Sequence, residues 1–246
     1  MALIDPDLLL RAYAIGVFPM SDSREADDIF WVEPRKRAIL PLDGFRLSRS
    51  LRKTLRADVF EVTRDTAFEE VIRLCAAREE TWINHQIERS FVALHELGFA
   101  HSIECRQDGM LVGGLYGVRL GAAFFGESMF STRTDASKVA LAWLVARLKL
   151  GGFRLLDCQF ITDHLRSLGA IEISQKDYLA LLASALSPAG GASGVAAPGA
   201  AGAGAALVRG AVPDFGALDR LLSDPAATVD APPSGCVISQ LLGQTS

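Results

Sequence analysis

The chain has no CxxC pair, no HExxH and no glycine-rich phosphate turn, and each absence removes a class of chemistry. Its four cysteines, Cys75, Cys105, Cys158 and Cys236, are scattered through apolar contexts. They read as buried, reduced thiols of a cytosolic protein rather than a disulfide framework. Four histidines, His85, His95, His101 and His164, show no ligand spacing, so no metal site is expected. No run reaches about 18 strongly apolar residues, and Asp5 and Asp7 interrupt the N-terminus, so neither a membrane span nor a signal peptide is expected. A soluble cytoplasmic protein follows. The formal net charge of -4 lacks the basic excess of an indiscriminate nucleic-acid binder, and 246 residues suffice for one or two domains.

What the chain does contain is three polar residues in strands that are otherwise apolar. Ala122 to Phe130 alternates aromatic and small residues around Glu127, and Phe153 to Gln159 is a short apolar run ending in Asp157, Cys158 and Gln159. An unpartnered carboxylate among apolar side chains costs several kcal/mol, so such a strand either pairs its acid structurally or uses it in a site. Between the two strands, Asp135 is placed to cap a helix with apolar positions Ala136, Val139, Ala140, Trp143, Leu144, Ala146 and Leu148, closed by Gly151 and Gly152. Strand, helix and strand make a right-handed crossover, which predicts parallel strands. Asp157 and Gln159, two apart, are expected on one face.

Upstream, Asp5 and Pro6 start a helix through Leu8, Leu9, Leu10 and Tyr13 that stops at Gly16. An aromatic, proline-rich segment follows, and Ser48 caps a short basic helix through Arg56. Thr66 to Glu69 has capping-box spacing for a helix to about Arg78, and another helix runs from about Ile87 to Leu97. His101 to Arg106 and Met110 to Arg119 flank Asp108-Gly109, a hairpin signal. After Gln159 come a helix near Asp163 to Leu168, a strand at Ala170 to Ser174 and a helix from Gln175 to Leu186. This order describes a mixed sheet with helices packed on it.

Between Arg35 and Arg56 eight basic residues, Arg35, Lys36, Arg37, Arg46, Arg49, Arg52, Lys53 and Arg56, face one acid, Asp43. The segment is either a solvated face or the seat of an anionic partner, most simply an RNA backbone. A mixed sheet of this order suits an acetyltransferase, but a CoA-dependent N-acyltransferase needs a glycine-rich turn before the helix after the central strand. Here that position reads Ser131-Thr-Arg-Thr-Asp-Ala-Ser-Lys138, and Gly113, Gly114 and Gly117 lie inside a strand pattern. A non-catalytic RNA-binding module is the other rival, and it has no use for acids in its strands.

FPM at 18–20, WVEPRKRAIL, SRSLRKTLR, TWI at 81–83, LHELGFAHSIE, LVGGLYGV, FFGESMFS, ASK and LLDCQ occur in an order that resembles leucyl/phenylalanyl-tRNA protein transferases, over roughly residues 3–180. The resemblance implies an α+β fold: a small N-terminal domain (1–60) and an acetyltransferase-like (GNAT-type) mixed sheet flanked by helices (61–186), while the Ala/Gly-rich composition after Leu186 reads as a linker and tail (187–246) expected to be disordered. It implies transfer of leucine or phenylalanine from aminoacyl-tRNA to the N-terminal Arg or Lys of a protein, marking it for degradation, with no cofactor. By the same resemblance Gln159 orients the attacking amine, Asp157 polarises that contact and Glu127 meets the basic acceptor. Leu115, Phe124, Met129, Leu141, Leu144 and Leu156 lie at the positions of the donor side-chain pocket. Trp82 and a residue of the 31 region, Trp31 or Val32, hold the terminal adenine, and Arg49, Arg52 and Lys53 contact the tRNA backbone.

Overall fold

The computed structural model describes residues 3–187, 212–223 and 234–243. Helix α1 (Pro6–Ala14) starts where Asp5 accepts the Leu8 N–H at 3.0 Å. The aromatic segment forms a two-stranded antiparallel ribbon, β1 (Phe18–Met20) with β2 (Phe30–Val32). Strand β3 (Lys36–Ile39) follows, then α2 (Arg49–Arg56), capped as expected by Ser48 on the Leu51 N–H. Next come β4 (Glu61–Arg64), α3 (Phe68–Ala76) and α4 (His85–Glu96). Strands β5 (Ala100–Gln107) and β6 (Met110–Leu120) form the expected hairpin, with Asp108 at φ +52° and Gly109 at +75°, the left-handed pair that a tight two-residue turn requires. The chain continues through β7 (Ala123–Ser131), α5 (Ala136–Leu150), β8 (Leu155–Gln159), α6 (Asp163–Ser167), β9 (Ile171–Ser174) and α7 (Gln175–Leu186).

Seven strands form one sheet in the order β4-β5-β6-β7-β8-β3-β9. Strands β7 and β8 run parallel, as the crossover requires, and the other neighbours are antiparallel. Successive residues take opposite faces of the sheet. Phe124 and Leu156 join the core beneath α2 and α5, while Phe125 and Leu155 join the core beneath α1, α3 and α7. Pairing of β7 with β8 covers only Ala123 to Phe125 against Leu155 to Asp157. Glu127 and Gln159 lie just past the point where it stops.

Four expectations are corrected. Thr66 does not cap α3; its hydroxyl and that of Thr63 go to the carboxylate of buried Glu104, at 3.2 and 2.7 Å, and the helix opens behind Ala67 without a side-chain cap. A buried carboxylate needs its donors more than a solvated helix end does. Asp135 precedes α5 but sits at φ +67° and pairs with Lys138 Nζ at 2.8 Å, because a capping residue needs extended backbone to turn its oxygen onto the first-turn N–H groups. The expected division at residue 60 is overridden, since β3 lies inside the sheet between β8 and β9.

The fourth correction concerns the tail. Helices α8 (Ala217–Leu222) and α9 (Ser234–Gly243) pack on the core, burying Phe215, Leu218, Ile238 and Leu242. Buried Arg147 of α5 supplies the reason: it donates to both carboxylate oxygens of Asp219, at 2.7 and 2.5 Å, and to the Phe215 carbonyl at 2.7 Å. The Ala/Gly-rich stretch expected as a linker, 188–211, lies outside the described residues.

Candidate active site

Beside the end of the β7–β8 pairing is a cavity of about 410 Å³. Leu115 from β6, Met129 from β7, Leu141 and Leu144 from α5 and Leu156 from β8 line it; the two leucines of α5 are three apart and so share a helix face. Five of the six residues expected in an apolar donor pocket are therefore together. Phe124 is not with them. It sits where β7 still pairs with β8, is fully buried, and its ring stacks on Phe215 at 5.5 Å, so it backs the wall instead of forming it.

Glu127 and Gln159 also line this cavity. One oxygen of Glu127, Oε1, accepts from Tyr13 Oη at 2.7 Å and from Gln159 Nε2 at 2.9 Å, whereas Oε2 is buried without a partner among the described residues. Burial pushes the Glu127 carboxyl up to about 7; the bonds from Tyr13 and Gln159 oppose the shift and the charge of Asp157 adds to it. The group therefore changes charge near neutrality. Cys158 also lines the cavity, but burial and the Asp157 charge hold its thiol far above the ordinary range, leaving it a poor nucleophile.

Asp157 is fully buried and does not line the cavity, and it touches Gln159, the residue whose contact it was expected to polarise. Arg37 Nε lies 2.9 and 3.1 Å from its two oxygens and Nη2 lies 2.5 Å from Oδ2. Tyr178 Oη donates to Oδ2 at 2.9 Å, and the backbone N–H of Gln159 donates to Oδ1 at 2.8 Å. Gln159 is left-handed at φ +60°, so it reaches Glu127 from a bend rather than through strand alternation.

Arg37, Tyr13 and Tyr178 were not legible as site residues. Arg37 is counted in the basic segment, yet it is 1% exposed, whereas Arg35, Arg46, Arg49, Arg52, Lys53 and Arg56 are exposed. The usable signal was its position before the apolar run Ala38-Ile39-Leu40, because an acid buried in one strand calls for a cation buried in another. Trp82, half-buried, lines the cavity. Trp31 is 40% exposed on the β1–β2 ribbon and is not part of the lining, and Val32 packs against the core. Arg49, Arg52 and Lys53 stand on the outer face of α2, whose Leu51 and Leu55 are buried, and they do not line the cavity. A second hollow of about 480 Å³ shares Arg78, Met129 and His164 with the first.

Among the described residues, no group of three or more His, Cys, Asp or Glu could hold a metal ion, and no helix is long and apolar enough to cross a membrane. The turn before α5 contains no glycine, and the Ser137 N–H in its first turn is taken by Ser131 Oγ at 3.3 Å.

The family model described as leucyl/phenylalanyl-tRNA protein transferase matches residues 39–183, and the model of the N-terminal domain of the same transferase matches residues 3–35. A leucyl/phenylalanyl-tRNA–protein transferase of Rhizorhabdus wittichii is 66% identical over 254 residues, covering 100% of both chains. The protein of that name from Novosphingobium aromaticivorans is 51% identical over 255 residues, covering 99% of this chain and 97% of its own. The one from Zymomonas mobilis is 66% identical over 189 residues, covering 75% of this chain and 70% of its own. With matched segments that span both the cavity and the strands that shape it, the chain belongs to the leucyl/phenylalanyl-tRNA protein transferase family.

Proposed function

We propose that the protein moves leucine or phenylalanine from aminoacyl-tRNA to the N-terminal arginine or lysine of a protein in the cytoplasm, marking that protein for degradation. The observation that carries this reading is a largely apolar cavity lined also by a buried carboxylate and a carboxamide hydrogen-bonded to each other. An aminoacyl ester is already activated. The acceptor amine attacks the ester carbonyl, a C–N bond forms as the bond to the ribose oxygen breaks, the amine gives up a proton and the tRNA hydroxyl gains one.

Leu115, Met129, Leu141, Leu144 and Leu156 hold the donor side chain, and Met129, unbranched and deformable, suits a cavity that takes both leucine and phenylalanine. Gln159 orients the amine. The free Oε2 of Glu127 meets the cationic acceptor, whose charge draws the carboxyl toward its ionised form. Trp82 stacks on the terminal adenine, with Trp31 on the neighbouring ribbon as its partner, and Arg49, Arg52 and Lys53 hold phosphates of the acceptor stem. The helix-flanked mixed sheet is the acetyltransferase type, used here without CoA.

The test is incubation with leucyl-tRNA or phenylalanyl-tRNA and a peptide beginning with arginine. A mass gain of one leucine or phenylalanine residue at the N-terminus is expected. Ester hydrolysis without peptide gain, or equal gain on a peptide beginning with aspartate, would refute the assigned acceptor.

A further inference from the structure

We propose that Arg37 is a positioning residue of the transfer reaction, acting through Asp157 on the backbone of Gln159; this rests on the function proposed above and extends it to a side chain outside the cavity. Arg37 lies 120 residues from Asp157 in sequence and is 1% exposed. Besides its contacts to both carboxylate oxygens, Nη1 donates to the Gly16 carbonyl at 2.9 Å, and its guanidinium carbon is 4.6 Å from the ring centroids of both Phe18 and Tyr178. A planar cation gripped in its plane and on its ring-facing sides has one orientation available.

Asp157 in turn has no route to substrate. It is fully buried, Oδ1 receives the Gln159 N–H and Oδ2 receives Tyr178 Oη. Its influence on the reaction therefore runs through Gln159. A glutamine at φ +60° occupies a backbone region that non-glycine residues keep only when their surroundings hold them there. The bond from its N–H to Asp157 is that hold, and its consequence is visible at the other end of the residue, where Nε2 reaches Glu127 Oε1 at 2.9 Å. Arg37 fixes the carboxylate, the carboxylate fixes the bend, and the bend aims the amide into the cavity.

Three variants test this: Tyr178→Phe, which keeps the ring over Arg37 but loses one bond to Asp157, then Arg37→Lys, then Arg37→Met. Each is assayed with leucyl-tRNA and an Arg-initiated peptide, and kcat is normalised to the number of molecules that bind aminoacyl-tRNA. The expected falls in kcat are roughly threefold, tenfold and a hundredfold in that order, with KM for aminoacyl-tRNA changed by less than about twofold and Arg37→Lys recovering about tenfold over Arg37→Met. A merely structural pair lowers the number of binding-competent molecules and leaves kcat per molecule intact. That result in Arg37→Lys and Tyr178→Phe, or a loss confined to KM, overturns the proposal, and these two variants decide it should Arg37→Met fail to fold. Absence of transfer by the unaltered protein would instead sink the proposed function itself.

Discussion

Arg37 and Arg147 are held in the same manner at opposite faces of the sheet. Each is almost fully buried, at 1% and 2% exposure, each grips an aspartate with two nitrogens, gives a bond to a backbone carbonyl and lies over an aromatic ring. The partners differ. The Asp157 side chain is 0% exposed, whereas the Asp219 side chain is 41% exposed. The first pair is closed on every side and transmits a geometry to Gln159; the second opens to water at its rim and fastens the tail to the core. Breaking a closed pair strands a charge without solvent to relieve it, while the second can be relieved in part by water. One device thus serves positioning in one place and docking in the other, and solvent access separates the two uses.

Deleting the carboxylates should show this difference most strongly. Asp157→Ala is expected to lower kcat about a hundredfold or more and to destabilise the fold by about 3–5 kcal/mol, measured by transfer per binding-competent molecule and by urea unfolding. Asp219→Ala is expected to leave transfer per molecule unchanged and to cost about 1–2 kcal/mol, discounted for the exposure of its carboxylate. Equal loss of transfer in both variants would erase the distinction. Pairing Asp219→Ala with Arg147→Met should recover most of that stability, since no buried charge is left unpaired.

Glu127 sharpens the contrast, because it is a buried acid with no cation gripping it. Gln at this position is expected to reduce use of Arg- and Lys-initiated peptides at least about tenfold while donor binding holds. Its effect on stability has the opposite sign. Between the ordinary 4.5 and about 7 the folded protein keeps a proton on Glu127 that the unfolded chain has released, so stability falls as pH rises through that window and levels off above it. The loss amounts to about 3 kcal/mol at most. Melting the substrate-free protein from pH 5 to 8 should show this decline, and Glu127→Gln should lack it; an unchanged slope in the variant would place the titration elsewhere.

The smallest effect is expected on α2, where the cations face solvent. Replacing Arg49, Arg52 and Lys53 by alanine should weaken tRNA binding by about tenfold near physiological salt and flatten its salt dependence. Parallel salt slopes for the two proteins would make that face a solvated one.

Local signals carried the sequence reading as far as local physics reaches. Asp5, Ser48 and the Asp108-Gly109 turn act on atoms within a few residues, and the elements they set were legible. Glu127 and Gln159 stood out as polar residues in apolar strands, whereas Leu141, Leu144 and Leu156 read by pattern as ordinary core and were pointed to only by the family resemblance; all five line the cavity. Arg37 was hidden because its meaning depends on a strand 120 residues away. Thr66 misled for the same reason: the acid that claims its hydroxyl is Glu104 on another strand. The tail was hidden by averaging, since Phe215 and Ile238 anchor it individually beside a stretch whose Ala/Gly composition dominated the reading.

Strand β3 is synthesised early and finds its place late. Both strands it pairs with, β8 and β9, leave the ribosome more than a hundred residues after it, and until then the edges of Ala38 and Ile39 have no neighbour. Closing so long a loop is slow. Residues 36–39 lie in the sheet between β8 and β9, and that pairing is also what sets Arg37 against Asp157. Placement of the strand and completion of the Arg37–Asp157 contact therefore go together, so a chain in which β3 is unpaired lacks the cation that holds Asp157.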